Sequence, residues 1–182
     1  IAIDNASDPD TASKLEAMVS RLGNGSVYVR NNENVKFGKA NNQGLALADG
    51  EIVVFMNSDI KATGNWLDRV QNAKKGAFYS PTSGVRTVDD QVLRYLEGWC
   101  IFGHKSDFEM IGGWNETDFP GIYWEDNELC YRAEKAGLLL KQAILPLQHL
   151  SNYTSRRTKG AYDFSEANHA VFERIVREGK NG

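Results

Sequence analysis

Apolar positions along this chain recur with two different periods, and the alternation between them outlines its elements. Residues 1–3 form a short apolar strand. Asp8 then precedes Pro9, an N-cap acceptor followed by a first-turn proline, and Ala12, Leu15, Met18, Val19 and Leu22 follow at helical spacing until Gly23 supplies a stop. Residues 26–30 read as a second strand, 31–36 as a polar loop, and 38–48 as a helix with Ala40, Leu45 and Ala48 inward, ended by Asp49-Gly50. Residues 51–56 are nearly continuous in Ile, Val and Phe, which predicts a strand covered on both faces, as parallel strands are.

Trp66, Leu67, Val70 and Ala73 predict another helix, and residues 78–80 a strand before Pro81. Helical spacing is then lost. Short β-like pieces around 85–88, 92–96 and 99–102 point to mixed or antiparallel pairing. Residues 108–113 lead into an aromatic-rich loop that ends at Trp124. A helix over 125–136 follows, with Leu129, Cys130, Ala133 and Ala136 inward. Residues 138–144 are the last clear strand, and 164–177 form an amphipathic helix through Ala167, Val171, Phe172 and Ile175. Strands alternating with helices place the chain in the α/β class.

Composition narrows the function. At 182 residues, 41% hydrophobic and 25% charged, the chain suits one globular domain. Its net charge of -3 argues against nucleic acid, whose binders carry a surplus of Lys and Arg. Cys100 and Cys130 lie in apolar segments and read as reduced core residues. The sequence has no apolar run of membrane-spanning length and no signal-peptide pattern at residue 1, so the expected location is the cytoplasm. Four matches to the glycosylation sequon carry no weight without a secretory context.

Two acidic clusters carry the chemistry. Asn57-Ser58-Asp59 follows the buried strand, at the sheet edge where open α/β folds place ligands, and Asp59 offers hard oxygen suited to magnesium or manganese. A plain Asx turn explains the same tripeptide. Glu125-Asp126 opens a helix, where the macrodipole alone favours acids. The setting adds Gly112-Gly113-Trp114 and Trp124, a surround suited to sugar, in which a carboxylate could act as general base. Asp4 ends the first strand and could contact a base or ribose, or simply form a turn. His149 is suited to manganese beside Asp59, although a lone histidine is more often structural. Arg156, Arg157 and Lys159 are either a solvated loop or a cover for a diphosphate.

Taken in order, several segments resemble a family 2 glycosyltransferase of the GT-A fold, particularly its rhamnosyl- and galactofuranosyl-transferase branch. They are Ile3-Asp4-Asn5-Ala6-Ser7, the stretch from Glu33-Asn34 through Phe37 to Asn41-Asn42-Gln43-Gly44, Gly50-Glu51 through Phe55-Met56-Asn57-Ser58-Asp59, Gly112-Gly113-Trp114-Asn115-Glu116, Trp124-Glu125-Asp126 through Leu129-Cys130-Tyr131-Arg132, and His149. The resemblance implies a Rossmann-like mixed sheet flanked by helices. It also implies a single domain, with a nucleotide-sugar half at 1–100, an acceptor and catalytic half at 101–155, and a basic loop and helix at 156–182.

The implied reaction is inverting transfer from a nucleotide-diphosphate sugar to a hydroxyl of a polysaccharide, glycan or glycolipid, with a divalent metal (Mn2+ or Mg2+) on the diphosphate. In this reading Asp126 is the base and Glu125 its orienting partner, and Asp59 and His149 hold the metal. Asp4, Asn5, Asn42, Asn57, Arg156 and Arg157 face the donor, and Trp99 and Trp124 face the acceptor. Association with the inner face of a membrane and homo-oligomer formation stay open.

Relative to the family pattern the chain starts after a first strand, so the expected sheet lacks a central member. Lys36 stands where the family commonly has glycine. A nucleotide-sugar-binding or assembly module without turnover is the non-enzymatic alternative. Sugar nucleotidyltransfer, a different chemistry, would need a glycine-rich loop and arginine after the first strand, and the sequence has none there.

Overall fold

The computed structural model describes residues 1–119, 123–150 and 161–179. Strand β1 (Ala2–Asp4) pairs in parallel with β2 (Tyr28–Arg30), and α1 (Pro9–Leu22) connects them. The Asp8 carboxylate accepts the Asp10 and Thr11 amides at 3.1 and 3.0 Å, and Gly23 at φ 85° ends the helix, so both expected helix signals hold. Helix α2 (Phe37–Leu47) crosses back toward β3 (Ile52–Met56).

A four-stranded sheet forms the centre of the molecule, in the order β3, β8 (Cys100–His104), β5 (Ala77–Ser80), β9 (Leu139–Gln142). Strand β8 is antiparallel to both β3 and β5, whereas β5 and β9 are parallel. The parallel setting expected for residues 51–56 is therefore incorrect. Coverage on both faces is real: Val53 and Phe55 join one apolar cluster with Ile101, Phe108, Trp114 and Leu129, while Ile52 and Val54 pack on another with Val70, Trp99 and Phe102. Burial on two faces produces a continuous apolar run whatever direction the neighbouring strand takes.

Beside the sheet stands an antiparallel hairpin of β6 (Ser83–Val88) and β7 (Gln91–Leu96), as expected. Helix α5 (Glu125–Lys135) packs on it through Leu129, Cys130 and Ala133, all fully buried. Ala136, expected inward, is exposed just beyond the helix. Helix α6 (Ala161–Glu178) packs with Asn168, Phe172 and Val176 inward, so its buried face is turned away from Ala167, which is exposed.

Three further pieces depart from expectation. Residues around 66–73 bury Val70 and Ala73 as expected, yet only α3 (Leu67–Val70) is helical before a turn toward Gly76. Helix α4 (Lys105–Met110) occupies what reads as a lead-in to a loop. Strands β4 (Ile60–Ala62) and β10 (Leu147–His149), too short to show a period, pair antiparallel. Strands β1 and β2 form a ladder separate from the β3 sheet. Cys100 and Cys130 are free and buried, as expected. Burial pushes the Cys100 thiol up to about 12 and raises that of Cys130 as well.

Candidate active site

The short β4–β10 pair builds the first half of the site. Its register sets His149 opposite Ile60, and the Leu150 amide donates to the Asp59 carbonyl at 2.8 Å. His149 Nε2 thereby lies 3.2 Å from Asp59 Oδ1. The Trp99 ring lies flat on the imidazole, with centroids 5.1 Å apart and planes 8° from parallel. Trp99 is itself held by its indole N–H, which donates to Thr82 Oγ1 at 2.8 Å and Glu97 Oε2 at 3.1 Å. Its carbonyl accepts the Asn57 amide at 2.9 Å, which ties the end of β3 to the same residue.

The second half hangs from Gly98. Its amide donates to Asp126 Oδ2 at 2.9 Å, and the Asn127 amide and side-chain Nδ2 donate to Oδ1 at 2.9 and 2.8 Å. A Cβ at residue 98 would stand 3.1 Å from the Asp126 Cβ, so glycine permits this approach. Burial pushes the Asp126 carboxyl up and the Gly98 and Asn127 hydrogen bonds pull it back, leaving it raised. Glu125 is 5% exposed, and its burial, with a smaller push from Asp126, raises it to about 8. Near neutral pH Glu125 is therefore protonated, and the adjacent Asp126 carboxyl is held by three N–H groups.

Residues 97–99 thus join the two acidic clusters: Asp126 through the Gly98 amide, and Asp59 through the Trp99 ring and His149. Gly98, Glu97 and Asn127 were not singled out in the sequence. The only sequence signal for the first two was a turn between two β-like pieces, and for Asn127 its place beside Asp126.

The other expected residues lie in varied settings. Asp4 is 2% exposed; burial works to raise it, but hydrogen bonds from Ser7 and Tyr28 and the charge of Arg30 hold it below the usual range. Its carboxylate is engaged by the Ser7 amide, the Tyr28 hydroxyl and Arg30 Nη1 at 2.7 to 2.8 Å. Asn5 accepts the Val35 amide and donates to Asn34, which fixes the loop ahead of α2. Asn42 accepts the Trp114 amide and donates to the Trp114 carbonyl and Glu116, pinning α2 to the Gly113-Trp114 turn.

Trp99 is buried. Trp124 has His169 stacked on its ring at 4.3 Å and the Arg86 guanidinium 5.0 Å from its centroid, so neither indole is an open platform. Tyr123 and Trp124 have φ of 76° and 77°, a left-handed pair directly ahead of Glu125 that costs about 1–3 kcal/mol per residue. Arg156, Arg157 and Lys159 lie outside the described residues.

Among the described residues no group of three or more His, Cys, Asp or Glu is arranged to hold a metal ion. The Asp59–His149 pair is nevertheless a fitting half-shell. Two neighbouring ligands about 2.1 Å from one ion lie about 3 Å apart, close to the 3.2 Å seen here. Ions of this class take one or two protein ligands and fill the rest with substrate phosphate and water.

Residues 1–111 match Glycosyl transferase family 2. The chain belongs to this family. No curated protein sequence matches the chain. Among solved structures, GalNAc-T7 with UDP, GalNAc and Mn2+ aligns with a TM-score of 0.64 at 14% identity, covering 81% of this chain and 36% of its own. The mannosyltransferase PcManGT from Pyrobaculum calidifontis, in complex with GDP-Man and Mn2+, aligns at 0.61 and 15% identity, covering 93% and 58%. The catalytic domain of Drosophila β1,4-galactosyltransferase 7 with xylobiose aligns at 0.55 and 14%, covering 92% and 77%. The chain spans less than two thirds of the first two. These likenesses establish the GT-A fold of this family 2 glycosyltransferase domain. Among its described residues no helix is long and apolar enough to cross a membrane.

Proposed function

We propose that this domain transfers a sugar, with inversion, from a nucleotide-diphosphate donor to a hydroxyl acceptor, using Asp126 as general base. The observation that carries this reading is the joint anchoring of Asp126 and the Asp59–His149 pair on residues 97–99. Family membership and the donors and Mn2+ in the structural neighbours' descriptions support it.

Asp59 and His149 would hold Mn2+ or Mg2+, which when bound supplies positive charge for the departing diphosphate. Stacking on Trp99 fixes the imidazole plane and so aims Nε2 at that position. Asp126 accepts the proton of the attacking hydroxyl. Its raised pKa makes it a stronger base than a solvated aspartate, and the three N–H groups favour its ionised form. Glu125, still protonated near neutrality, donates a hydrogen bond that orients the acceptor oxygen or the base. Asn57, at the end of β3, makes a weaker polar contact with the donor, and Arg156 and Arg157 offset diphosphate charge. Asp4 and Asn5 shape the loop that would face the nucleoside.

The test is donor breakdown with a panel of nucleotide sugars, with and without Mn2+. Metal-dependent release of nucleoside diphosphate that falls about 100-fold or more in Asp126→Asn supports the reading. Nucleotide binding without release by the wild-type chain contradicts it, and so does full activity in Asp126→Asn.

A further inference from the structure

From Asp126 the site extends in two directions. One passes through Gly98 and Trp99 to the Asp59–His149 pair. In the other, Tyr95 feels the Asp126 charge, and Arg86, on the exposed hairpin, stands over the rings of Tyr95 and Trp124.

Gly84 lies opposite Tyr95 in the β6–β7 register, and the Tyr95 ring covers it so closely that a Cβ at residue 84 would meet the ring at 2.6 Å. The ring is thereby pinned against the strand. Two residues along the same face, the Arg86 guanidinium carbon stands 5.0 Å from the Tyr95 centroid and 5.0 Å from that of Trp124. Tyr95 also feels the charges of Arg86, Asp126 and Glu97, which places all three near one hydroxyl. Among the described residues no carboxylate lies within ion-pair distance of Arg86.

The guanidinium lies over the faces of both aromatic rings, and its N–H groups can still bond outward. A planar fork of N–H donors matches a carboxylate or phosphate through two parallel hydrogen bonds. The same neighbourhood holds Glu97 and Asp126, so an anionic acceptor gains from a cation that offsets them on its way to the base. A neutral sugar has no such need.

We propose that Arg86, clamped by Tyr95 and Trp124, forms a subsite for an anionic group, a carboxylate or a phosphate, on the sugar acceptor. This rests on the transfer reaction proposed above, since it gives that reaction an acidic acceptor class.

Binding of methyl β-D-glucuronide, glucose 6-phosphate and neutral methyl β-D-glucoside to the full chain, with Mn2+ and nucleoside diphosphate present, tests it by NMR titration. At least one anionic probe should bind about tenfold tighter than the glucoside, as charge-assisted bonds do. Which one does so tells a uronic acid from a sugar phosphate. Arg86→Gln should erase the preference with an unchanged thermal midpoint, and Arg86→Lys should restore part of it. Equal or absent binding of the three probes overturns the subsite, as does a preference that survives Arg86→Gln. A loss in Arg86→Gln confined to nucleotide affinity overturns it too, because it would move Arg86 to the donor. Donor hydrolysis by the wild-type chain is read in the same samples. Hydrolysis without anionic preference overturns the subsite alone, whereas absent hydrolysis overturns the transfer reaction.

Discussion

The adjacent acids at the start of α5 differ because their surroundings differ. Glu125 is driven by burial to about 8, whereas Asp126 sits among three N–H groups that work against the upward push of its burial. The pH–rate profile should therefore fall near pH 8 as Glu125 loses its proton, and Glu125→Gln should remove this alkaline limb. Stability follows the same proton. The folded pKa of Glu125 lies above its unfolded value, so the folded chain binds the proton more tightly, and this contribution is full below about 4.5 and lost as pH rises toward about 8. Denaturant titrations of Glu125→Gln across that window should show a flatter pH dependence than wild type. Spacing displays both acids and only the family resemblance separates their roles, because spacing says nothing about how deeply each carboxyl is buried.

At the level of elements, the helix signals were the most legible. Asp8, Pro9 and Gly23 bound α1 where a cap acceptor, a fixed φ and a left-handed stop require it. Strand direction was not legible, since Val53 and Phe55 on one face and Ile52 and Val54 on the other fill the run identically beside an antiparallel partner. Three-residue strands leave no period at all, and one of them, β10, is what carries His149 to Asp59. The Lys36 anomaly noted in the sequence has a backbone cause: φ 72° and ψ 173° at the entry to α2 fall in a region that side chains avoid. Lys36→Gly should raise stability by about 1 kcal/mol, the relief of strain less the added freedom of the unfolded chain, read from urea midpoints. No gain would mean that the loop at Asn34 and Val35 already relaxes the strain.

For the molecule as a whole, the fold reduces to a way of bringing residues 57–59, 97–99, 125–127 and 149 together from four separate stretches. Nothing in the sequence specified the 97–99 turn as their junction, because its role is set by the antiparallel β3–β8 register and the packing of α5 on the hairpin. If that junction holds a metal diphosphate, a nucleoside diphosphate with Mn2+ should raise the thermal midpoint of wild type, and Asp59→Ala combined with His149→Ala should remove most of the increase that depends on Mn2+. The most direct measurement is paramagnetic broadening by Mn2+, in the presence of nucleoside diphosphate, of the amide and side-chain signals of the isotope-labelled chain. Asp59, Gly98, Trp99, Asp126 and His149 should broaden together at low Mn2+, while Ala12 and Val19 of α1 stay sharp. Broadening at Asp59 that spares Gly98 and Asp126 would contradict a shared junction.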